Sequence, residues 1–114
     1  MPNAVRTLLR LFFLLTALGV FWLALLPAPD VVKLFSWQDK VEHAILFAAL
    51  ALIALLAWPR QPWRIAAGLL VYGAAMEVAQ SLTAHRHGDP LDWLADAVGL
   101  LVLLPFALRR DTRV

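Results

Sequence analysis

Long apolar segments constrain the fold of this chain more than any other feature. The first, Leu11 to Leu26, is interrupted only by Thr16 and Gly19 and stops at Pro27. A helix needs about 20 apolar residues to cross a hydrocarbon core of about 30 Å. Three more such segments follow, so spans are predicted at residues 10–27, 41–58, 65–82 and 91–108. The sequence predicts an all-α polytopic membrane protein, a bundle of four transmembrane helices in one domain over residues 1–114.

Composition supports this class and excludes several others. Hydrophobic residues make up 62% of the 114 residues, which is more than a soluble domain of this size could bury. The chain has no Cys, which excludes thiol nucleophiles, disulfides and thiolate metal sites. Its net charge of +2 comes from basic residues scattered at segment ends. That distribution reflects the topology of a membrane protein rather than a nucleic-acid partner. No cofactor is predicted.

The basic residues also predict an orientation. Four spans place both termini on one side, and seven Arg residues fall on the termini or the middle loop. By the positive-inside rule that side is the cytoplasm. The basic start and apolar run also resemble a cleaved signal peptide, but the run is long for one and no small-x-small cleavage site follows it. The seven residues are Arg6, Arg10, Arg60, Arg64, Arg109, Arg110 and Arg113.

Three of the predicted spans carry a polar stripe at the end that this topology places outside. Residues three or four apart share a helix face, so each stripe faces a common neighbour. Polar groups are costly inside a bilayer and usually mark a functional site. Gly73 and Gly99 are expected to let the backbones approach closely. The stripes are Asp39, His43 and Phe47, then Gly73, Glu77 and Gln80, then Asp92, Asp96 and Gly99.

These residues resemble the motif of the VanZ-like membrane proteins. That family has Asp-Lys-x-x-His-x-x-x-Phe, followed by Glu-x-x-Gln and then Arg, Asp, Asn and Gly. The matching positions here are Asp39, Lys40, His43, Phe47, Glu77, Gln80, Arg86, Asp92 and Gly99. The resemblance covers about residues 30–108. Asp96 departs from it, because it stands where the family usually has Asn and adds a second acid close to Asp92.

The resemblance implies a bacterial envelope protein of the inner membrane without supplying a reaction. The founding member of the family is associated with reduced susceptibility to the glycopeptide antibiotic teicoplanin. An effect on glycopeptide susceptibility is therefore an expectation for this chain. The predicted binding residues are Asp39, Lys40, His43, Glu77, Gln80, Arg86, Asp92 and Asp96.

Three functions remain open at this stage. The favoured one is binding of an envelope component such as a lipid-linked precursor, with Lys40 and Arg86 as cationic contacts that the acids hold in place. The second is an intramembrane hydrolase or transferase with Glu77 or His43 as general base. The third is a small transporter or scaffold, which would require an oligomer. Binding is favoured because no nucleophile lies at a fixed short spacing from a base. Ser81 and Thr83 are the only candidate hydroxyls in the region, and hydroxyls are common at helix ends.

Simpler explanations exist for several of these residues. Glu77 and Arg86 could form a purely structural ion pair. The role of His43 could be limited to a hydrogen bond with Asp39 or Glu77 that fixes the helix register. His85-x-His87 beside Asp89, with His43 and Glu77 nearby, offers nitrogen and oxygen ligands, but this is a weak signal and no metal is predicted. Interface anchoring accounts for four Trp residues near predicted span ends, which are Trp22, Trp58, Trp63 and Trp93.

Overall fold

The computed structural model describes residues 2–26, 38–83 and 90–112, without the side chains of residues 39 and 110–112. These residues form four helices and no strand: α1 Asn3–Leu25, α2 Gln38–Ala57, α3 Pro62–Ser81 and α4 Pro90–Thr112. Three segments are long and apolar enough to cross a membrane: Asn3–Leu25, Lys40–Ala57 and Pro90–Arg109. The predicted all-α membrane architecture is confirmed.

Helix α3 differs from the other three in its polarity. It has 20 residues, as α2 does, but it is not among the segments that reach membrane-spanning hydropathy. Arg64, Glu77 and Gln80 lower its apolar character. It packs against α1, α2 and α4, and Glu77 and Gln80 are buried by that packing. Glu77 and Gln80 are therefore covered by protein rather than lipid, whereas Arg64, at the opposite end of α3, is exposed.

Prolines account for most of the helix limits. Pro62 is the first residue of α3 and Pro90 is the first residue of α4. Proline lacks a backbone N–H, but at the start of a helix this group would have no acceptor within the helix. Pro59 follows the end of α2 at Ala57. Helix α1 begins before its predicted span and α4 continues beyond its own, which a helix can do where it leaves the bilayer.

The core lies mainly between α2 and α4, the pair of helices with the most extensive contact. Phe47, Leu50 and Ala51 of α2 are almost completely buried, as is Leu100 of α4. Ile65 and Leu69 of α3 complete this core. The centre of the bundle is thus apolar, and its polar side chains lie nearer the helix ends.

Helix α1 packs on the surface of this core, against α2 and α3, and buries no residue of its own. Side chains of the other helices donate hydrogen bonds to its backbone: Tyr72 Oη to Ala17 O at 2.6 Å and Gln80 Nε2 to Ala24 O at 3.0 Å. Its outer face is apolar and exposed, as expected of a surface in contact with lipid. That face includes Leu8, Leu15, Leu18 and Trp22.

Two glycines allow the helices to approach closely, as predicted. A Cβ built on Gly99 would lie 2.0 Å from the backbone oxygen of Ala44, so α2 and α4 cross at a distance that only glycine permits. A Cβ on Gly73 would lie 3.0 Å from Asp96 Oδ2 and 3.3 Å from the ring of Phe47. Both contacts lie next to the polar side chains described below.

The four Trp residues do not share one environment. Trp22 and Trp63 are exposed, as expected of interface anchors. Trp93 is half-buried and its indole Nε1 donates to Leu70 O at 2.9 Å, which ties α4 to α3. Trp58 packs edge-on against Phe13 of α1 at 5.6 Å between ring centroids. Anchoring therefore does not account for Trp58 and Trp93, which join helices.

Substitution of Gly99 by Ala should destabilise the bundle by about 1–3 kcal/mol, because the new methyl group would meet a backbone atom that cannot rotate away. Gly19→Ala is the matched control, since a Cβ there has nothing within 4 Å. That control should leave the free energy of unfolding unchanged or raise it by up to about 1 kcal/mol. The measurement is reversible unfolding in mixed micelles. Equal stability of the two variants would contradict the close α2–α4 crossing.

Candidate functional site

The start of α2, the end of α3 and the start of α4 meet at one end of the bundle. Lys40 Nζ of α2 donates to Asp92 Oδ1 of α4 at 2.6 Å. One turn further in, His43 Nδ1 lies 3.0 Å from Asp96 Oδ1. Two successive turns of α2 are thus joined to two successive turns of α4. Of the predicted polar stripes, those of α2 and α4 thus face each other at His43 and Asp96.

The imidazole of His43 is oriented by Asp96. When Asp96 is ionised its oxygens only accept hydrogen bonds, so in the absence of a bound metal ion this 3.0 Å contact requires the His43 tautomer that carries a proton on Nδ1. The other ring nitrogen, Nε2, lies 3.8 Å from Asp92 Oδ2, which is too long for a hydrogen bond. The expected partner of His43 was Asp39 or Glu77. The observed partner is Asp96, which reaches His43 from the neighbouring helix, and the side chain of Asp39 lies outside the described part.

Asp96 is the most deeply buried polar side chain of the described residues, at 0% exposure. Its Oδ1 accepts from His43, while its Oδ2 has no hydrogen-bond partner among the described residues. Oδ2 faces α3 at Gly73. Most buried carboxylate oxygens in proteins are hydrogen-bonded, so an unpartnered one marks a place where a further group can bind.

Glu77 brings α3 into the same cluster. It is 8% exposed, and one of its carboxylate oxygens lies within 4.8 Å of a His43 ring nitrogen and of an Asp96 oxygen. Gly73 lies one turn before Glu77 on the same face, so the α3 backbone leaves room for the Asp96 carboxylate. We refer to His43, Glu77 and Asp96 as the buried triad. One side chain from each of α2, α3 and α4 forms it.

Gln80 has a different role from the one its position on the stripe suggests. It is buried, but its amide nitrogen donates to Ala24 O of α1 rather than to one of the acids. It therefore holds α1 against the end of α3. This role could not be read from the sequence, because nothing in α1 marks which of its carbonyls would accept.

A groove of about 330 Å³ opens between α1, α2 and α3 beside the buried triad. Its inner wall is apolar, and its polar side chains, Glu42, His43 and Gln80, lie toward the helix ends. Because its lining combines apolar side chains with a few polar ones, the groove suits a molecule with an apolar chain and a polar group. The lining residues are Val20, Leu23, Ala24, Glu42, His43, Leu46, Met76 and Gln80.

The remaining predicted site residues divide into two groups. Arg86 and the metal-binding candidates His85, His87 and Asp89 lie outside the described residues, as does any Glu77–Arg86 pair. Lys40 was predicted as a cationic contact, and the structure shows it paired with Asp92. The spacing of Lys40 and His43, three residues apart on α2, was the available signal that both could reach α4.

The candidate nucleophiles make local hydrogen bonds. Ser81 Oγ donates to Val78 O at 2.6 Å, and Thr83 Oγ1 donates to Gln80 O at 2.9 Å. Each hydroxyl proton is thus engaged by a carbonyl three residues earlier in the chain. Neither arrangement is that of a nucleophile whose proton is taken by a neighbouring base.

Comparisons with family models, with curated proteins and with solved structures find no match to this chain. Arguments about its function consequently depend on the residues and geometry described above.

Proposed function

We propose that this chain is a VanZ-like integral membrane protein of the bacterial cell envelope that binds an amphipathic envelope component, such as a lipid-linked precursor. The observation that carries the proposal is the groove between α1, α2 and α3. Val20, Leu46 and Met76 form its apolar inner wall, and His43 and Gln80 lie at its polar end.

The dimensions of the groove suit part of a lipid. Its volume of about 330 Å³ is at the lower end of the range for small-molecule sites, which is about 300–1,000 Å³. A single apolar chain would lie against Val20 and Leu46, while a polar or phosphate group would lie near the helix ends. Those ends are also where the headgroups of the surrounding lipids are found, so a lipid could enter sideways from the bilayer.

A cationic side chain at the same end of the bundle as the groove, although not part of its lining, supports a binding role. Asp92 fixes the ammonium of Lys40 at 2.6 Å, and the Lys40 side chain remains 27% exposed. A cation held in place in this way is pre-organised for an anionic headgroup, since little side-chain freedom is then lost on binding. This matches the role expected of the acids in a binding protein, which is to position the cationic contacts.

A second candidate is an intramembrane hydrolase, and the His43–Asp96 pair favours it. A carboxylate that orients an imidazole is the arrangement found in many general bases. Because the hydroxyls of Ser81 and Thr83 are engaged locally, such an enzyme would use water as its nucleophile. Binding remains the preferred function because it requires only the groove, whereas hydrolysis would also require a water molecule as nucleophile.

The orientation of the bundle follows from its basic end. Arg10 Nε donates to Ala57 O at 3.0 Å, so the start of α1 and the end of α2 lie together, at the end opposite His43. Arg60 lies in the α2–α3 turn and Arg64 in the first turn of α3, at this same end. By the positive-inside rule we assign this end and both termini to the cytoplasm, and the protein to the inner membrane.

Single cysteines should report this orientation without background, because the chain has none of its own. In intact cells an impermeant maleimide should label His85→Cys and should not label Gln61→Cys. Permeabilised cells should show labelling at both positions, which controls for reactivity. Labelling of Gln61→Cys but not of His85→Cys in intact cells would reverse the orientation.

Filling the groove should displace the bound amphiphile. Protein purified gently from its own membrane should retain a lipid that native mass spectrometry identifies. Val20→Trp places an indole in the groove and should remove this lipid. Val71→Trp is the matched control, because Val71 is 69% exposed on the outer face of α3, and it should retain the lipid. In a host whose teicoplanin susceptibility depends on the protein, only Val20→Trp should change that susceptibility.

Loss of the lipid from both Trp variants, or from neither, would contradict binding in this groove.

The same experiment separates a binding protein from a hydrolase. A binding protein carries the same molecule in the wild type and in His43→Gln, although the amount can fall. A hydrolase would accumulate intact substrate in His43→Gln and carry product in the wild type.

A further inference from the structure

We propose that the buried triad, His43, Glu77 and Asp96, is a binding site for one divalent metal ion of the Zn²⁺ or Mn²⁺ class. Each residue offers one ligand atom, and these three atoms lie within 4.8 Å of one another. The three residues come from three different helices. A bound ion would therefore join α2, α3 and α4 at one point.

The distances are close to those that an ion requires. Three atoms at these separations surround a central point from which each is less than about 3 Å away, and ligand bonds to zinc are about 2.0–2.2 Å long. Each ligand would have to move inward by less than about 1 Å. Rotation of the Glu77 and His43 side chains can supply such a movement without a change in the helices.

Asp96 provides an independent observation that a ligand belongs here. Its side chain is completely buried, and its Oδ2 has no hydrogen-bond partner among the described residues. That oxygen faces the α3 surface that carries Gly73 and, one turn later, Glu77. A purely structural pair with His43 uses only Oδ1. It leaves Oδ2 unexplained, whereas a metal ion would satisfy it.

The donor set selects the kind of ion. One imidazole nitrogen with two carboxylate oxygens suits Zn²⁺, which takes nitrogen and oxygen ligands, and Mn²⁺, which prefers carboxylate oxygens and also accepts an imidazole. Ca²⁺ prefers six to eight oxygen ligands, and Mg²⁺ keeps several waters, which a buried site between helices accommodates poorly. Cu⁺ prefers thiolate and thioether ligands; the chain has no Cys, and none of the three triad residues carries sulfur. Three protein ligands also leave at least one coordination position for water or an anionic group.

The test uses the full-length protein, purified without an affinity tag and stripped of metal with a chelator. Zn²⁺ and Mn²⁺ are added separately, and bound metal is measured after dialysis by mass spectrometry and titration calorimetry. The wild type should bind one ion per chain. Asp96→Asn and Glu77→Gln should each weaken binding by about tenfold or more. Glu42→Gln is the matched control for Glu77→Gln, because it makes the same substitution at an exposed residue, and it should leave metal binding unchanged.

Two results would overturn the site. One is a wild type that binds no stoichiometric ion. The other is binding that survives in Asp96→Asn and Glu77→Gln but disappears when both His85 and His87 are replaced by Ala, which would place the ion in the α3–α4 loop.

A measurement on the wild type alone covers the case in which the triad variants do not fold. Paramagnetic Co²⁺ substituted at the site should shift the ring resonances of His43 far more than those of His85 and His87. Co²⁺ that shifts only the resonances of the two loop histidines would overturn the proposal. This test does not involve an amphiphile, so its result is independent of the function proposed above.

Discussion

The contact between His43 and Asp96 is the interaction on which the arrangement of this bundle depends. A carboxylate that is fully buried between helices has no water to solvate it, and leaving it unpaired would cost several kcal/mol. The imidazole of α2 must therefore remain beside α4, at 3.0 Å from Asp96 Oδ1. Lys40 and Asp92 repeat this connection one turn nearer the helix ends. Gly99 makes both contacts possible, because any larger residue would hold α2 and α4 apart.

The other helices follow from this pair. Helix α3 is not among the segments that reach membrane-spanning hydropathy, and it places Glu77 and Gln80 against its neighbours. Helix α1 is strongly apolar and contributes one wall of the groove, held there by hydrogen bonds from Tyr72 and Gln80. The result is an apolar core with a polar cluster at one end and a groove open beside it. The groove supports the proposed binding function and the buried triad supports the proposed metal site.

The sequence predicts much of this arrangement, for identifiable reasons. Hydropathy and proline positions predict the helices, and the alternating direction of successive spans predicts that His43, Glu77 and Asp96 share one end of the bundle. Spacing alone does not tell which helix a given face meets, so the partners of His43 and Lys40 were not foreseen. The attachment of α1 was equally hidden, because backbone carbonyls accept its hydrogen bonds and these leave no sequence signal. Trp93 resembled an interface anchor by position, whereas its indole bonds a carbonyl of α3.

The central claim, that a buried polar contact between α2 and α4 organises the bundle, is tested most directly by a double-mutant cycle on His43→Ala and Asp96→Ala. The measured quantity is the coupling in the free energy of unfolding in a lipid-like environment. We predict a stabilising coupling of about 1–3 kcal/mol, since the contact is buried. The exposed pair Gln38 and Glu42, joined by a 3.1 Å hydrogen bond within α2, should show almost none. A coupling between His43 and Asp96 no larger than the roughly 0.3–0.5 kcal/mol scatter of independent sites would contradict the account.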